Sequence, residues 1–407
     1  MPDTQTPPRP SRRRERLFVV LVLLSTVGLC ELVLRAVVTR QGTVETLLGK
    51  PWYYLVPLDL PREMPSVVPG PGAYRVYDAD LGWTLGPLGK SEPLYFSDPN
   101  GRRCSRQTYE RLLTAPALEP GSGSTVDPDD AVDIVTLGDS FTHGDEVPFE
   151  DAWPTLLSKQ TGLSVLNLGV GGYGIDQAVL RYEKTPVEAR LVLLGLIAGD
   201  LERAQTQIYN IIRGGLKTKP LFTFDDASDP IVNRPAIHGE ALRRELALGG
   251  AGTLLNRERI HGPLLYEPRP WDAIYLLRVP YSLWVSARYR PAPIFATPGP
   301  NHDISIDILQ YGRRLATSRG ADFLVVLLGN NNTFALRSDM PDPWSLLKQS
   351  LDQAGIAWVD TSPTTFAAYR EDPHQVINAT GVHYTPAANR KVADQLTSHP
   401  AIVGLTP

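Results

Sequence analysis

Hydrophobic and polar positions divide the chain into regimes of different period. Leu17–Val38 is apolar almost throughout, broken mainly by Glu31 and Arg35. As a helix, roughly 22 residues reach about 33 Å, enough to cross a hydrocarbon core of about 30 Å. Glu31 and Arg35 stand one helical turn apart, where opposite charges pair. From 132 onward, short apolar runs of strand length alternate with segments of helical period. The runs are Val132–Leu137, Ser164–Leu168, Leu191–Ile197, Phe323–Leu328 and Ala357–Asp360. Helical spacing is read over Asp151–Gln160, Ile175–Lys184, Leu201–Ile212, Ile304–Ser318, Trp344–Ala354 and a last segment from Pro386. Strands alternating with helices predict a parallel sheet covered on both faces.

Two stretches lack this rhythm. Residues 40–130 carry short aromatic and β-favouring pieces punctuated by Gly and Pro, and read as an irregular β and loop lead-in. Residues 214–300 are rich in Pro, Gly and aromatics and read as an insertion in a domain spanning 131–400. Tyr, Trp and Arg between 263 and 290 are expected to form a small core beneath the insertion, with a carbohydrate-facing wall as the other reading.

The N-terminal charges give the apolar run a direction. Arg9, Arg12, Arg13, Arg14 and Arg16 precede it, which predicts a cytoplasmic tail at 1–16, a transmembrane helix at 17–38 and an exported body. A cleaved signal peptide is the rival. It is disfavoured because the run exceeds the usual h-region and no clear A-x-A site follows. Cell-membrane localisation, with the body periplasmic or extracellular, is therefore expected. A net charge of −4 supplies no basic field for nucleic acid. With only two cysteines and no CxxC or HExxH spacing, neither a metal site nor a cofactor is expected.

Three segments carry chemistry. Gly138-Asp139-Ser140-Phe141-Thr142 follows the first strand directly. A serine on such a turn either caps a helix or presents its hydroxyl at the C-terminal end of the sheet, where open α/β sheets bind ligands. Asn167–Gly174 follows the second strand. Its glycines allow close backbone approach and free N–H donors, and Gly169–Gly174 matches G-x-G-x-x-G. Dinucleotide binding is disfavoured, because the fingerprint needs an acidic residue about 20 positions on and belongs at the first βα turn. His383-Tyr384-Thr385-Pro386 sets an imidazole just before a helix that Thr385 and Pro386 begin. A neutral imidazole there suits removal of a serine proton. Asp139 and Asp200 are expected to hydrogen-bond their own loops, Asp176 and Gln177 to support the glycine segment, and His143 to be a surface helix residue, with a place lining the cleft as its other reading.

Together these segments resemble the blocks of the SGNH (GDSL-like) hydrolases, over roughly 132–212 and 320–397. The resemblance implies a flavodoxin-like three-layer α/β/α fold. Ser140 would be the nucleophile and His383 the general base. The N–H groups of Ser140 and Gly172 would form an oxyanion hole. Leu81-Gly82-Trp83, Gly101-Arg102 and Lys219-Pro220-Leu221-Phe222 resemble parts of membrane-anchored, exported members. Such members include carbohydrate O-acetyl esterases and acetyltransferases acting on cell-wall or exported polysaccharide.

Two positions depart from the family pattern. Gly199 stands where the third block has an oxyanion asparagine, and Thr380 stands where the fifth block has the aspartate that orients the histidine. The expected substitutes are Asn331 or its neighbours Asn330 and Asn332 for the first, and Thr380, Asp360, Glu371 or Asp372 for the second. The implied function is an exported serine esterase or O-acyltransferase acting on an acylated cell-surface carbohydrate, alongside cell-envelope assembly partners. The alternative is a catalytically degenerate glycan-binding or assembly protein on the same fold.

Overall fold

The computed structural model describes residues 12–41, 44–51, 72–114, 131–209, 217–225, 230–233, 258–260, 267–288, 293–337 and 340–406. The chain forms two compact units. One comprises Met1–Met64, Asn210–Leu216 and Gly262–Arg290, and the other comprises the remainder.

The larger unit is built on five parallel strands: β1 (Val132–Leu137), β2 (Val165–Asn167), β3 (Ala189–Leu196), β4 (Asp322–Leu327) and β5 (Ala357–Asp360). Their spatial order is β2-β1-β3-β4-β5, the flavodoxin-like doubly wound order. It differs from the dinucleotide-binding order, in which the third strand lies outermost. In register, Val192 of β3 lies between Val135 of β1 and Phe323 of β4.

Successive strand residues point to opposite faces, so an almost continuous apolar run fills two cores. Val192, Leu194 and Leu196 join one core with Val179 and Leu180 of α3 (Ile175–Lys184), Ile308 and Leu309 of α5 (Pro300–Ser318), and Leu347 and Leu351 of α6 (Ser345–Gln353). Leu191 and Leu193 join the other, with Trp153, Leu156 and Leu157 of α2 (Trp153–Thr161) and Val392 and Leu396 of α7 (Pro386–Thr397). The expected three-layer α/β/α sandwich is present.

Two local expectations change. The helix read over Leu201–Ile212 is only Ala198–Arg203, and Ile208–Tyr209 pairs antiparallel with Lys217–Thr218. The polar run Gln205-Thr206-Gln207 ends the helix by bonding locally: Thr206 Oγ1 donates to the Ile208 carbonyl at 2.9 Å. The lead-in forms short antiparallel pieces, among them Arg75–Asp78 with Gly82–Leu85. Tyr74, Leu81, Trp83 and Leu85 enter the α3-side core. Tyr173 Oη donates to the Trp83 carbonyl at 2.7 Å, and Gln177 Nε2 donates to that of Leu81 at 2.7 Å. This stretch therefore braces the glycine segment.

The smaller unit contains α1 (Arg12–Val37), a hairpin of Val38–Gln41 and Val44–Leu47, and α4 (Tyr275–Arg288). Among the described residues, α1 is the one helix long and apolar enough to cross a membrane. The expected Glu31–Arg35 pair forms at 2.8 Å. The expected small aromatic core at 263–290 does not describe Trp271 and Trp284, which are 42% and 44% exposed.

Candidate active site

β1 ends at a turn that needs glycine. Gly138 has φ +146°, and a Cβ there would approach Thr142 Oγ1 and the Gly195 carbonyl oxygen to 2.3 and 2.5 Å. The chain then enters a one-turn helix at Ser140. Asp139 is its N-cap, accepting from Phe141 N at 2.8 Å, so Ser140 is the first helical residue rather than the cap. A backbone N–H at that position has no acceptor within the helix. The second glycine segment is stitched to this turn: Val170 N donates to the Gly138 carbonyl at 3.1 Å, and Asn167 Nδ2 donates to that of Thr142 at 2.8 Å. Gly172 takes φ +85°, and a Cβ there would meet Tyr209 Oη at 2.9 Å. The two expected oxyanion donors thus sit on adjoining turns at the C-terminal rim of the sheet.

His383 reaches the same rim. Its ring lies against that of Phe141, centroids 5.3 Å apart, and Tyr384 packs edge-on to Phe141 at 4.8 Å. His383 thus packs on the residue that follows Ser140 in the chain. Ser140 Oγ donates to Asp139 Oδ2 at 3.2 Å, and among the described residues it is not bonded to the imidazole.

The carboxylate that holds His383 is one the sequence reading missed. Glu146 Oε1 lies 2.7 Å from His383 Nδ1, and the same carboxylate accepts from the backbone N–H of Val382 and His383, each at 3.3 Å. Burial raises the Glu146 carboxyl, but the His383 hydrogen bond, its charge and the two N–H groups outweigh it, leaving the group below its ordinary range. Glu146 has φ +67°, a left-handed conformation that costs a non-glycine residue about 1–3 kcal/mol. The surrounding loop holds it there. Tyr95 Oη accepts from Glu146 N at 2.9 Å, and buried Arg103 donates to the carbonyls of Gly144 (2.7 Å) and Val147 (2.6 Å). Opposite, Gly381 leaves room: a Cβ there would come within 1.8 Å of Glu146 Oε2.

The substitutes expected from sequence serve elsewhere. Thr380 and Glu371 are exposed. Asp360 pairs with Lys348 at 2.7 Å and accepts from Ser362 N at 2.9 Å. Asp372 caps the turn at 373–375. Asn330 caps Asn331–Leu336 by accepting from Thr333 N, and Asn331 and Asn332 are exposed on that helix. Capping demand consumes Asn330 and Asp372, the Lys348 ion pair engages Asp360, and the rest face solvent.

Arg203 stands over the Gly199 position. A Cβ on Gly199 would lie 3.4 Å from Arg203 Nη2. Nη1 donates to Asp139 Oδ2 (2.9 Å), the Tyr173 carbonyl (3.0 Å) and Asp200 Oδ1 (2.5 Å). The guanidinium thus bridges the Ser140 turn and the residue after Gly172. Asp200 also accepts from Ile197 N at 3.0 Å. Burial, and then the like charge of Asp139, push the Asp200 carboxyl well up. Burial alone would lower Arg203, but the two carboxylates raise it above its ordinary value.

In the glycine segment, Gln177 Oε1 accepts from Gly174 N at 3.3 Å, the supporting role expected of it. Asp176 is fully buried, bonded to Lys219 and accepting from Gln177 N at 2.9 Å. A carboxylate in that first turn of α3 occupies N–H groups a pyrophosphate would need.

His143 is fully buried rather than a surface residue. Its Nε2 lies 2.5 Å from Tyr74 Oη and its Nδ1 2.5 Å from Asp145 Oδ1, with Arg75 also facing Asp145. Burial outweighs the Asp145 carboxylate and lowers the imidazole to about 4. The unfolded value is about 6.5, so unfolding takes up a proton between pH 6.5 and 4. This contribution to stability is complete above about pH 6.5 and is lost as pH falls through that window, by up to about 3 kcal/mol. Denaturant titrations of the wild type should show the loss between pH 7 and 4.5, and His143→Gln should flatten it. An unchanged slope in the variant would place the acid sensitivity elsewhere.

No family model matches the chain, and no curated protein matches it. Among solved structures it is similar to a member of the lipolytic G-D-S-L family from Veillonella parvula, at 14% identity over 65% of this chain and 96% of that one, TM-score 0.33. It is also similar to a lipolytic protein of the same family from Desulfitobacterium hafniense, at 11% identity over 65% and 98%, TM-score 0.31. A third is an acetylxylan esterase from Geobacillus stearothermophilus, at 12% identity over 67% and 96%, TM-score 0.33. The functional reading therefore rests on the geometry of this chain.

Proposed function

We propose that the chain is a membrane-anchored, exported serine esterase or O-acyltransferase of the SGNH type, acting on an acylated cell-surface carbohydrate. The observation that carries the chemistry is the Glu146–His383 hydrogen bond at 2.7 Å, made by an imidazole that packs on Phe141, the residue after Ser140. A carboxylate on Nδ1 fixes the tautomer whose Nε2 is the base. α1 and the N-terminal arginines support the anchor and its direction. The block resemblance supports the acylated carbohydrate.

In the proposed reaction, Ser140 Oγ rotates from Asp139 and attacks the acyl carbonyl carbon, and its proton passes to His383 Nε2. The imidazolium is stabilised by Glu146. The negative oxygen of the tetrahedral intermediate is held by the N–H groups of Ser140 and Gly172, with the Arg203 guanidinium in place of the missing asparagine. Collapse expels the sugar oxygen, which takes the proton back from His383. Water or an acceptor hydroxyl then attacks the acyl-serine by the same route, giving hydrolysis or transfer.

The test is labelling of the full chain by a fluorophosphonate probe, beside turnover of p-nitrophenyl acetate. Stoichiometric labelling that is lost in Ser140→Ala is the expected result. Absence of labelling, with turnover equal to that of Ser140→Ala, would instead identify a non-catalytic binding protein.

A further inference from the structure

α4 is built inside out. Leu277, Pro280, Leu283, Trp284 and Ala287 face outward, and the charge on that side is Arg288 at the last position of the helix. The buried side contains Arg278 and Ser282 beside Val279 and Val285. A helix at a protein–water boundary shows the opposite arrangement. The turn before α4 continues the apolar surface with Trp271 and Ile274, both exposed.

The helix is fastened to α1. Both oxygens of the Glu31 carboxylate accept from its first N–H groups, Tyr275 N at 3.0 Å and Leu276 N at 2.9 Å. Arg35 Nη2 donates to the Ala273 carbonyl at 2.6 Å, and its guanidinium lies 4.8 Å from the Tyr275 ring centre. Val279 packs with Val38 and Leu34. Glu31 and Arg35 belong to the last two turns of α1, so α4 begins at the level where that helix ends.

We propose that Trp271 and α4 lie in the lipid interface beside α1, with the outward face of α4 against the acyl-chain boundary of the bilayer. The inference rests on the reading of α1 as a membrane anchor and adds a second lipid contact to it. At 1.5 Å per residue the helix is about 21 Å long, too short to span a core of about 30 Å and suited to lying in its plane. The cations that flank the outward face lie on aromatic rings: Arg288, the last residue of the helix, is 4.8 Å from the Trp284 ring centre, and Arg269, before the helix, is 4.0 Å from that of Tyr281. Arginine and tryptophan in this arrangement suit the headgroup level. Continuity with an apolar helix selects lipid as the occupant over a second protein surface.

The experiment uses the full chain with Cys30→Ser, reconstituted in mixed phosphatidylcholine–phosphatidylglycerol vesicles. A nitrobenzoxadiazole label is placed by Leu277→Cys, by Trp284→Cys, by Leu24→Cys within α1, or by Glu110→Cys on an exposed helix outside it. Doxyl-labelled lipid should quench the labels at 24, 277 and 284 about twofold or more over that at 110, with aqueous iodide quenching only the label at 110. Quenching by doxyl lipid at 24, with iodide access at 277 and 284, would overturn the inference while keeping the anchor. Protection at 277 and 284 from both quenchers would mean a protein occupant and would also overturn it. Loss of lipid quenching at 24 would remove the anchor and the inference together.

Discussion

Glu146→Gln is expected to lower kcat/KM for ester hydrolysis by roughly 10⁴, while Thr380→Ala leaves it unchanged. The amide keeps the size of the glutamate but loses its charge and presents an N–H₂ that can donate to His383 Nδ1. That selects the tautomer with its proton on Nε2, the atom required as base. The same kind of change in a serine protease costs about 10⁴ in kcat. The backbone N–H groups of Val382 and His383 also bond this carboxylate, so the substitution loosens the histidine loop as well. Two readouts separate the effects. A loss confined to loop position should raise KM and recover with saturating substrate, whereas a wrong tautomer lowers kcat. Gly381→Ala should behave like Glu146→Gln, because its methyl group would displace the carboxylate. Equal activity of Glu146→Gln and wild type, with a loss in Thr380→Ala, would reverse the assignment.

Arg203→Met is expected to lower kcat by about 10²–10³, the scale on which one oxyanion donor is worth about 2.7–4 kcal/mol. The side chain runs back along its short helix over Gly199, and its three hydrogen bonds come from Nη1. Nη2 is left over the position at which the family asparagine would donate. Removal of the guanidinium also leaves Asp139 and Asp200 facing each other without a cation. The substitution is therefore best made with Asp200→Asn, and thermal unfolding should accompany the kinetics. Arg203→Lys should retain the pairing but not the planar reach of the fork, and should recover stability more than rate. Adding Gly199→Asn to Arg203→Met should return part of kcat. A folded Arg203→Met, Asp200→Asn enzyme with unchanged kcat would confine the arginine to a structural role.

These two residues show why the site was only partly legible in the chain. Ser140, Gly172 and His383 announce themselves locally. Each stands beside a strand end or helix start, with glycine or Thr-Pro neighbours that the turn geometry demands. Glu146 gives no such signal. It lies six positions after the serine, in a loop where acidic residues are commonplace, and it meets His383 only because Tyr95 and Arg103 hold that loop in a left-handed bend. Three positions before the histidine stands Thr380, which is exposed, and at the later strand ends Asn330 caps its own helix while Asp360 pairs with Lys348. Arg203 was overlooked for a related reason. The vacancy at Gly199 was visible, but its filling from the next turn of the same helix depends on how far the Ala198–Arg203 helix extends before Gln205-Thr206-Gln207 ends it. His143 is buried by Tyr74, 69 residues upstream in the lead-in, and by Tyr95 of the same stretch, contacts that leave no local pattern around His143.

By itself the sequence determined the apolar N-terminal helix, the βα alternation, the parallel sheet and the rim that carries the serine and histidine. Those features follow from period, length and turn chemistry, which act over a few neighbouring residues. Tertiary structure alone decided which carboxylate bonds the imidazole, which cation stands over Gly199 and which face of α4 points outward. Each depends on groups distant in the chain or on a backbone bend held by other segments, and local pattern carries no record of either.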